Sequence, residues 1–342
     1  MTLPTRTIGI DGIRLSTIGL GAWAIGGLGW EDAWGAQDDD TSIATIRRAV
    51  ELGVTWIDTA PVYGHGHSEQ VIGRALADLP EDDRPHVFTK CGVLWNNDDH
   101  YAPPTLDLRR LRSEIEESLR RLGTDRIDLL QAHCPPDLGP ALEDYWGQLV
   151  ALRENGTVGA IGLSNHDVRQ LEAAEQIGHV DTLQPPMSLL RREAGADLLR
   201  WCSAHGTGVI CYSPLESGLL TGGYSAERVG RLPDDVWRRT SPRFRGAPLD
   251  RTLDLIDALR PIADRLGVAV SAIAIAWVLA WPGVTGAIVG ARRPDHVEGW
   301  PVASGLHLDE SDLSEIAAAL ETTGAGSGPV QPTTRTKSGH AK

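Results

Sequence analysis

The chain has 342 residues, of which 41% are hydrophobic and 23% are charged, a balance that allows a well-packed globular core. No segment reaches the ~18 uninterrupted apolar residues of a membrane span, and the N-terminus lacks the basic and apolar regions of a secretion signal. The net charge of −14 argues against nucleic acid or an anionic membrane as a partner.

The cysteines are scattered without the spacing of metal ligands, at Cys91, Cys134, Cys202 and Cys211. This distribution fits a reduced, cytoplasmic protein. The Gly-His-Gly-His stretch that contains His65 and His67 has no further ligands at suitable spacing, so we expect no bound metal.

The first predicted element is a hairpin, in which Thr7–Ile10 and Ile13–Leu15 flank the turn Asp11-Gly12. Glycine tolerates the positive φ that such a two-residue turn requires. Short apolar runs then recur along the chain and are predicted as eight strands, at Thr17–Gly21, Thr55–Asp58, His86–Thr89, Ile127–Gln131, Ala160–Leu163, Thr182–Gln184, Val209–Tyr212 and Gly286–Val289.

Stretches with helical periodicity lie between these strands. Ser42–Leu52 is one, and Leu108–Leu122 is another, with apolar residues on one face and Gly123 as its predicted C-cap. Leu142–Glu154 ends before Asn155-Gly156 in the same way. Alternating strands and helices predict a parallel sheet with right-handed crossovers.

Eight repeats favour closure of that sheet, whereas five to seven would favour an open doubly wound sheet. We therefore predict an α/β fold, a (β/α)8 TIM barrel with an N-terminal β-hairpin and long loops on the C-terminal face, as a single domain over residues 1–321. Thr221–Pro248 is long and rich in Gly, Arg and Pro, so it is a candidate lid over the barrel mouth. Thr322–Lys342 has no apolar period and is expected to be disordered.

Polar side chains follow the ends of most predicted strands. In a barrel these positions converge on the C-terminal mouth, where active sites form. They are Asp58, Lys90, His133, Ser164, Asn165, Gln184, Tyr212, Ser213, Arg292 and Arg293.

At these residues the sequence resembles the aldo-keto reductase family. The matching segments run in family order over roughly residues 5 to 320: Asp58-Thr-Ala-Pro-Val-Tyr63-Gly, Ser68-Glu69 ahead of Ile72-Gly73, Phe88-Thr-Lys90, Asp128-Leu-Leu-Gln-Ala-His133, Ile161-Gly-Leu-Ser-Asn165, Tyr212-Ser-Pro-Leu-Glu-Ser-Gly-Leu-Leu and Ile288-Val-Gly-Ala-Arg292. Each segment alone is a weak signal, and together they are specific.

The resemblance implies a catalytic tetrad of Asp58, Tyr63, Lys90 and His133. Hydride delivery to a carbonyl builds negative charge on its oxygen, and Tyr63 would protonate that oxygen. A neighbouring Lys90 ammonium is expected to lower the pKa of Tyr63, and Asp58 to hold Lys90 charged and in place. His133 would orient the carbonyl.

The resemblance also implies a nicotinamide cofactor. Tyr212 would stack on the ring, and Ser164, Asn165 and Gln184 would bind its carboxamide. The Ser213–Leu220 loop would follow the pyrophosphate, and Arg292 would bind the ribose 2′-phosphate, with Arg293 as a second candidate. The complete expected set is Gly21, Ala22, Trp23, Asp58, Ser164, Asn165, Gln184, Tyr212, Ser213, Pro214, Leu215, Gly218, Leu220, Gly290, Arg292 and His296.

This set favours NADP(H), with NAD(H) also possible because two positions depart from the family pattern. His296 stands where relatives often have Arg, and Gly299-Trp300 where they often have Glu-Asn. The expected substrate-contacting residues are Tyr63, His133, Trp23, Trp30 and Trp95. Cys134 stands where many relatives have tryptophan, which implies a changed pocket shape.

Simpler interpretations stand beside these. Asp58 and Lys90 alone could be an ordinary buried ion pair, and Lys90 in a barrel could form a Schiff base, as in class I aldolases. Gly19-Leu-Gly21-Ala-Trp-Ala24 matches the dinucleotide fingerprint GxGxxG/A, but we interpret it as the first strand and its loop because no helix start follows.

The resemblance thus implies an enzyme that reduces an aldehyde or ketone with NADPH, with a monomer as the default state and a cytoplasmic location. The alternative is a nucleotide-binding, redox-sensing module that resembles potassium-channel β-subunits.

Overall fold

The computed structural model describes residues 3–8, 12–93, 106–136, 139–232 and 237–332. Its strands are β1 Thr5–Ile8, β2 Ile13–Ser16, β3 Ile18–Gly21, β4 Trp56–Asp58, β5 His86–Cys91, β6 Ile127–Ala132, β7 Val158–Ser164, β8 Thr182–Gln184, β9 Gly208–Tyr212 and β10 Val284–Gly290. Its α-helices are α1 Asp39–Glu51, α2 His67–Ala77, α3 Leu111–Leu122, α4 Leu142–Glu154, α5 Val168–Glu175, α6 Leu198–His205, α7 Ala226–Gly230, α8 Gly246–Leu266, α9 Val270–Leu279, α10 Trp300–Gly305 and α11 Glu310–Thr323. Short 3₁₀ helices cover Trp23–Gly26, Glu81–Asp83, Glu193–Gly195, Glu216–Thr221, Trp237–Arg239, Pro242–Phe244 and Pro294–His296.

Strands β3 to β10 form a closed, parallel, eight-stranded barrel, and β10 closes it by pairing with both β9 and β3. The predicted (β/α)8 barrel is therefore confirmed, and each of the eight predicted strands overlaps an observed one. The N-terminal hairpin is also confirmed, because β1 and β2 pair antiparallel, although residues 9–11 of its turn lie outside the described residues.

The lower half of the barrel is filled by large side chains. Trp56 lies 5.2 Å from Phe88 between ring centroids, and Ile8 and Leu15 of the hairpin belong to the same buried cluster. A Cβ on Gly19 would come within 2.2 Å of the Trp56 ring, so this position has to be glycine for the indole to fit. The hairpin and Trp56 thus close the N-terminal end.

Most helix boundaries follow from capping. Asp38 accepts a hydrogen bond from Thr41 N at 2.7 Å, and α1 consequently begins three residues before the predicted Ser42. Gly123 ends α3 with φ of 68°, as the sequence predicts. In the described part of the chain no single helix has the length and apolar character to cross a membrane; α8 and α9 meet those criteria only as a pair bent by 90°.

The stretch that resembles a dinucleotide fingerprint is β3 followed by the 3₁₀ helix Trp23–Gly26, and α1 begins only at Asp39. Its interpretation as a strand and loop is confirmed. The expected disorder from residue 322 does not hold for residues 322–332. Helix α11 extends to Thr323, and Arg192 binds the following segment, with its Nη1 donating to Ala325 O at 3.0 Å. Residues 333–342 lie outside the described part.

Candidate active site

A cavity of about 860 Å³ opens at the C-terminal end of the barrel, and we call it the mouth cavity. Its volume is in the range of about 300–1,000 Å³ that is typical of small-molecule and cofactor sites. Among the predicted site residues, those that line it are Gly21, Trp23, Trp30, Asp58, Tyr63, His133, Ser164, Asn165, Gln184, Tyr212, Ser213, Pro214, Leu215, Gly218, Gly290, Arg292, Arg293 and His296.

Lys90 lies under the floor of this cavity and is only 1% exposed. Its Nζ donates to Asp58 Oδ2 at 2.6 Å, to Thr59 O at 2.9 Å and to Tyr63 Oη at 3.5 Å. An ammonium group has three protons, so each proton has an acceptor. The ends of β4 and β5 and the loop after β4 therefore join a carboxylate, an ammonium and a phenol in one hydrogen-bonded chain.

Asp58 is held from a second side. Gln184 Nε2 donates to Asp58 Oδ1 at 2.7 Å, so the two carboxylate oxygens bind Lys90 and Gln184 separately. Gln184 ends β8 on the far side of the barrel, and it was predicted as a carboxamide ligand. In this structure it also fixes the orientation of the Asp58 carboxylate.

The aromatic rings of Tyr63 and His133 meet edge to face, with centroids 5.9 Å apart at 80°. Burial raises the pKa of the Tyr63 phenol well above its usual value, and the Asp58 carboxylate adds to this. Burial thus outweighs the lowering of this pKa that was expected from Lys90. Burial and the Lys90 charge lower the pKa of His133, which leaves its imidazole neutral at neutral pH.

Asn165 is the link between His133 and Tyr212. It has a left-handed backbone, with φ of 64°; its Nδ2 donates to His133 O at 3.0 Å, and its Oδ1 accepts from Tyr212 Oη at 2.9 Å. Behind it, His166 is buried between Tyr145 Oη, at 2.7 Å from Nε2, and Ser164 O, at 2.8 Å from Nδ1. Tyr145 and His166 were not predicted from the sequence, because a buried histidine one residue after a motif has no distinct pattern.

The loop after β9 turns tightly. Glu216, Ser217 and Gly218 have consecutive positive φ values of 44°, 55° and 95°. The N–H groups of Glu216 and Gly218 donate to Ser213 O and Leu215 O, both at 3.0 Å, and so stabilise this turn. The Glu216 side chain is buried at 1% exposure and paired with Arg243 at 3.0 Å.

Four arginines line the mouth cavity, and two of them were not predicted. Arg228 and Arg238 come from the segment 221–248; Arg238 Nη1 donates to Tyr224 Oη at 2.6 Å, and its guanidinium lies 4.4 Å from the Trp34 ring centroid. Arg238 Nε is buried and has no hydrogen-bond partner among the described residues. Arg238 as a residue lines the mouth cavity, and a positive group at a cavity wall fits an anionic ligand group.

The two predicted phosphate arginines have different surroundings. Arg293 is exposed and forms a bidentate ion pair with Asp295, at 3.0 and 2.9 Å. Arg292 is half-buried and binds neutral acceptors in the loop 34–37 instead. Arg292 thus keeps its charge toward the cavity without a paired carboxylate among the residues described.

Three indoles pack together at the rim of the cavity, and we call them the indole roof: Trp23 and Trp34 line the cavity, and Trp237 lines a neighbouring pocket. Trp23 and Trp237 stack with centroids 5.8 Å apart and planes at 11°, and Trp34 meets both rings edge-on at 5.6 and 6.2 Å. Trp237 belongs to the segment that was predicted as a lid, and this segment does lie against the mouth. Trp34 was not predicted, since a tryptophan in a glycine-rich loop carries no positional signal.

Two expected cofactor-binding residues do not line the cavity. Ala22 and Leu220 are buried in the hydrophobic core and do not line the cavity, because their side chains point away from it while their neighbours face it. Trp95 lies outside the described residues. Among the residues described, no three His, Cys, Asp or Glu side chains are grouped as metal ligands.

Comparison with known proteins identifies the family. The profile of the Aldo/keto reductase family matches residues 17–321. Aldo-keto reductase YhdN of Bacillus subtilis is 36% identical over 318 residues, 93% of this chain and 93% of that protein. The NADH-specific methylglyoxal reductase of Escherichia coli is 34% identical over 331 residues, 92% of this chain and 98% of that protein.

A solved structure gives the same answer. Glycerol dehydrogenase AKR11B4 from Gluconobacter oxydans superposes with a TM-score of 0.85 at 36% identity, over 97% of this chain and 98% of that one. The matched residues span the whole barrel and the strand ends that build the mouth cavity. The chain therefore belongs to the aldo/keto reductase family of oxidoreductases.

Proposed function

We propose that the protein is an NADPH-dependent reductase of small aldehydes and ketones, with Tyr63 as the proton donor, and that it oxidises the corresponding alcohols in reverse. One observation carries this proposal: Lys90 Nζ contacts both Asp58 and Tyr63 beneath a cavity that the His133 ring also lines. A buried ion pair with only a structural role does not require a phenol within reach of the ammonium.

The proton would come from Tyr63 Oη. Lys90 donates to this oxygen, so the phenolic proton is free to point into the cavity. The phenol is protonated at neutral pH, and burial, which raises its pKa, holds the proton on Tyr63 until negative charge develops on the carbonyl oxygen. As the proton leaves, the Lys90 ammonium would stabilise the phenolate, while Asp58 holds the ammonium in position.

His133 would orient the substrate. Its lowered pKa makes it a neutral imidazole, which can donate one N–H to the carbonyl oxygen without competing as a proton source. The ring contact with Tyr63 directs both donors toward the same region of the cavity. Two donors at one oxygen polarise the carbonyl and fix the face that it presents.

The cofactor would lie along the strand ends from β7 to β10. When bound, the nicotinamide ring supplies the hydride equivalent to the carbonyl carbon. Ser164, Asn165 and Gln184 would bind the carboxamide, Tyr212 would support the ring, and the Ser213–Leu220 loop would lie along the pyrophosphate. Arg292 would bind the 2′-phosphate, with Arg238 as a second cation nearby.

The names of the relatives support a small, polar substrate. The relative from Escherichia coli is named as a methylglyoxal reductase, and the one from Gluconobacter oxydans as a glycerol dehydrogenase. Trp30 lies 5.9 Å from Tyr63 between ring centroids and narrows the space over the phenol. We expect short hydroxylated or dicarbonyl compounds to be turned over faster than bulky ketones.

No observation favours the regulatory module over the enzyme. A Schiff base on Lys90 is disfavoured because the amine is buried and its three protons are bound by oxygen acceptors. Borohydride treatment in the presence of a carbonyl substrate should therefore trap no adduct on Lys90.

The test is the Tyr63→Phe variant, assayed on a carbonyl panel by the loss of NADPH absorbance. Loss of a general acid should reduce kcat by about 10²- to 10⁴-fold. Tight NADP⁺ binding by the same variant would show that the site is intact. Turnover close to that of the unmodified protein would refute the proton-donor role.

A further inference from the structure

Gln37 connects the cofactor-phosphate corner of the cavity to helix α1. Its Oε1 accepts from Arg292 Nε at 2.8 Å, and its Nε2 donates to Arg292 O at 2.9 Å and to Ser42 Oγ at 2.9 Å. One amide group therefore contacts both the side chain and the backbone of Arg292, and it is itself anchored on the first turns of α1. Sequence reasoning did not identify this residue.

Two backbone carbonyls of the loop before α1 also bind the Arg292 guanidinium. Arg292 Nη1 donates to Trp34 O at 3.0 Å, and Nη2 donates to Ala36 O. All three acceptors are neutral, so they orient the guanidinium without cancelling its charge. A guanidinium has five N–H donors, and these contacts use three, which leaves one on each Nη for a further anion.

We infer that Gln37 is a positioning residue that sets the preference for NADPH over NADH, by holding the Arg292 guanidinium in place for the 2′-phosphate. This inference rests on the proposed function, because it needs Arg292 as the phosphate ligand. Arg293 is a poorer candidate, since it is exposed and already paired with Asp295. A pre-oriented arginine loses less side-chain freedom on binding and so binds its anion more tightly.

The experiment compares Gln37→Ala and Gln37→Glu with the unmodified protein. The dissociation constants of NADP⁺ and NAD⁺, which differ only in the 2′-phosphate, are measured by tryptophan fluorescence. Gln37→Ala should weaken NADP⁺ binding by about five- to tenfold and leave NAD⁺ binding unchanged. Gln37→Glu should weaken NADP⁺ binding further, because a carboxylate on the guanidinium neutralises it while keeping the shape of the side chain.

The matched control is Arg48→Ala. Arg48 on α1 pairs with Glu298, at 2.6 and 3.0 Å, just after the 3₁₀ helix Pro294–His296, so it ties the same two parts of the chain together without touching Arg292. If Gln37 acts only by fastening α1, Arg48→Ala should shift the NADP⁺ to NAD⁺ ratio as much as Gln37→Ala does. That result, or equal weakening of both cofactors by Gln37→Ala, would overturn the inference.

Two further results separate this inference from the proposed function. If Arg292→Ala weakens NADP⁺ binding and Gln37→Ala does not, the positioning role is wrong and the phosphate assignment stands. If Arg292→Ala itself leaves NADP⁺ binding unchanged, the phosphate assignment fails and the role of Gln37 fails with it. Hydrogen exchange supplies a readout without turnover: residues 34–37 should be more protected with NADP⁺ than with NAD⁺.

Discussion

The Trp23 and Trp237 indoles are stacked with planes only 11° apart, and this contact joins the loop after β3 to the segment 221–248 across the mouth of the barrel. Stacked aromatic pairs contribute about 0.5–1.5 kcal/mol beyond the area that they bury. Trp237→Ala should therefore open the roof and raise KM for a carbonyl substrate by about three- to tenfold, since each 1.4 kcal/mol is a factor of about ten.

Trp201→Ala is the control for that variant. Trp201 stacks on His205 with centroids 3.9 Å apart in α6, and neither residue belongs to the pockets at the barrel mouth, whereas Trp237 stacks on Trp23, which lines the mouth cavity. This change should lower the melting temperature without moving KM. Equal KM values for Trp237→Ala and the unmodified protein would mean that the roof has no part in substrate binding.

The buried Lys90–Asp58 pair allows structure and catalysis to be separated. Lys90→Met leaves the Asp58 carboxylate buried without its cation, and breaking a buried pair in this way costs about 3–5 kcal/mol. Adding Asp58→Asn should restore most of the stability, because a neutral amide replaces the charge, yet it should not restore turnover. Thermal unfolding and kcat, measured on both variants, test this, and recovery of activity in the double variant would contradict a catalytic role for Lys90.

Glu114 should make the stability of the protein depend on pH. Burial raises its pKa to about 8, against an ordinary value of 4.5, although its Oε1 accepts from Gly92 N at 3.0 Å. Between about pH 4.5 and pH 8, Glu114 is therefore protonated in the folded state and ionised in the unfolded state. The free energy of unfolding should fall as the pH rises from about 4.5 to about 8, and Glu114→Gln should flatten this slope. Urea unfolding across this pH range provides the measurement. If the free energy of unfolding of Glu114→Gln depends on pH as steeply as that of the unmodified protein, Glu114 is not the group responsible.

Tyr145→Phe should weaken both cofactors equally. It removes the hydroxyl that lies 2.7 Å from His166 Nε2 and leaves a buried ring nitrogen without that partner, at a cost of about 1–3 kcal/mol. His166 supports Ser164 and Asn165, which would bind the part that NADPH and NADH share. The dissociation constants of NADP⁺ and NAD⁺ should rise together, in contrast to Gln37→Ala. A change in only one of them would exclude this positioning role.

Much of the site could be predicted because the barrel fixes where strand ends meet. Asp58, Lys90 and Gln184 are far apart in the sequence, but a closed parallel sheet brings their strand ends to one rim, and the structure joins them by hydrogen bonds. The strands were found because each is a short apolar run between polar helices. The strands, and the residues at their ends, could therefore be identified without knowing the conformation of any loop.

What could not be predicted depends on loops and burial. Gln37, Trp34 and Arg238 lie in loops whose path is set by tertiary contacts, so their sequence neighbourhood does not indicate that they face the cavity. The rise in the pKa of Tyr63 was missed because proximity to Lys90 was considered without the cost of burying a charged phenolate. The start of the C-terminal tail was missed because one buried arginine, Arg192, binds it through backbone carbonyls.

The filled lower barrel has a kinetic consequence. Trp56 and Phe88 pack above the hairpin and fill the barrel interior below Asp58. Substrate and product can therefore reach or leave Tyr63 only through the C-terminal opening, where the cofactor would also lie. The alcohol product and the oxidised nucleotide would then leave through the same opening, and the alcohol, as the smaller molecule, would leave first. Variants that loosen the indole roof should raise the dissociation rate of the nucleotide. If that dissociation limits turnover, kcat would rise even though the carbonyl substrate is bound less tightly.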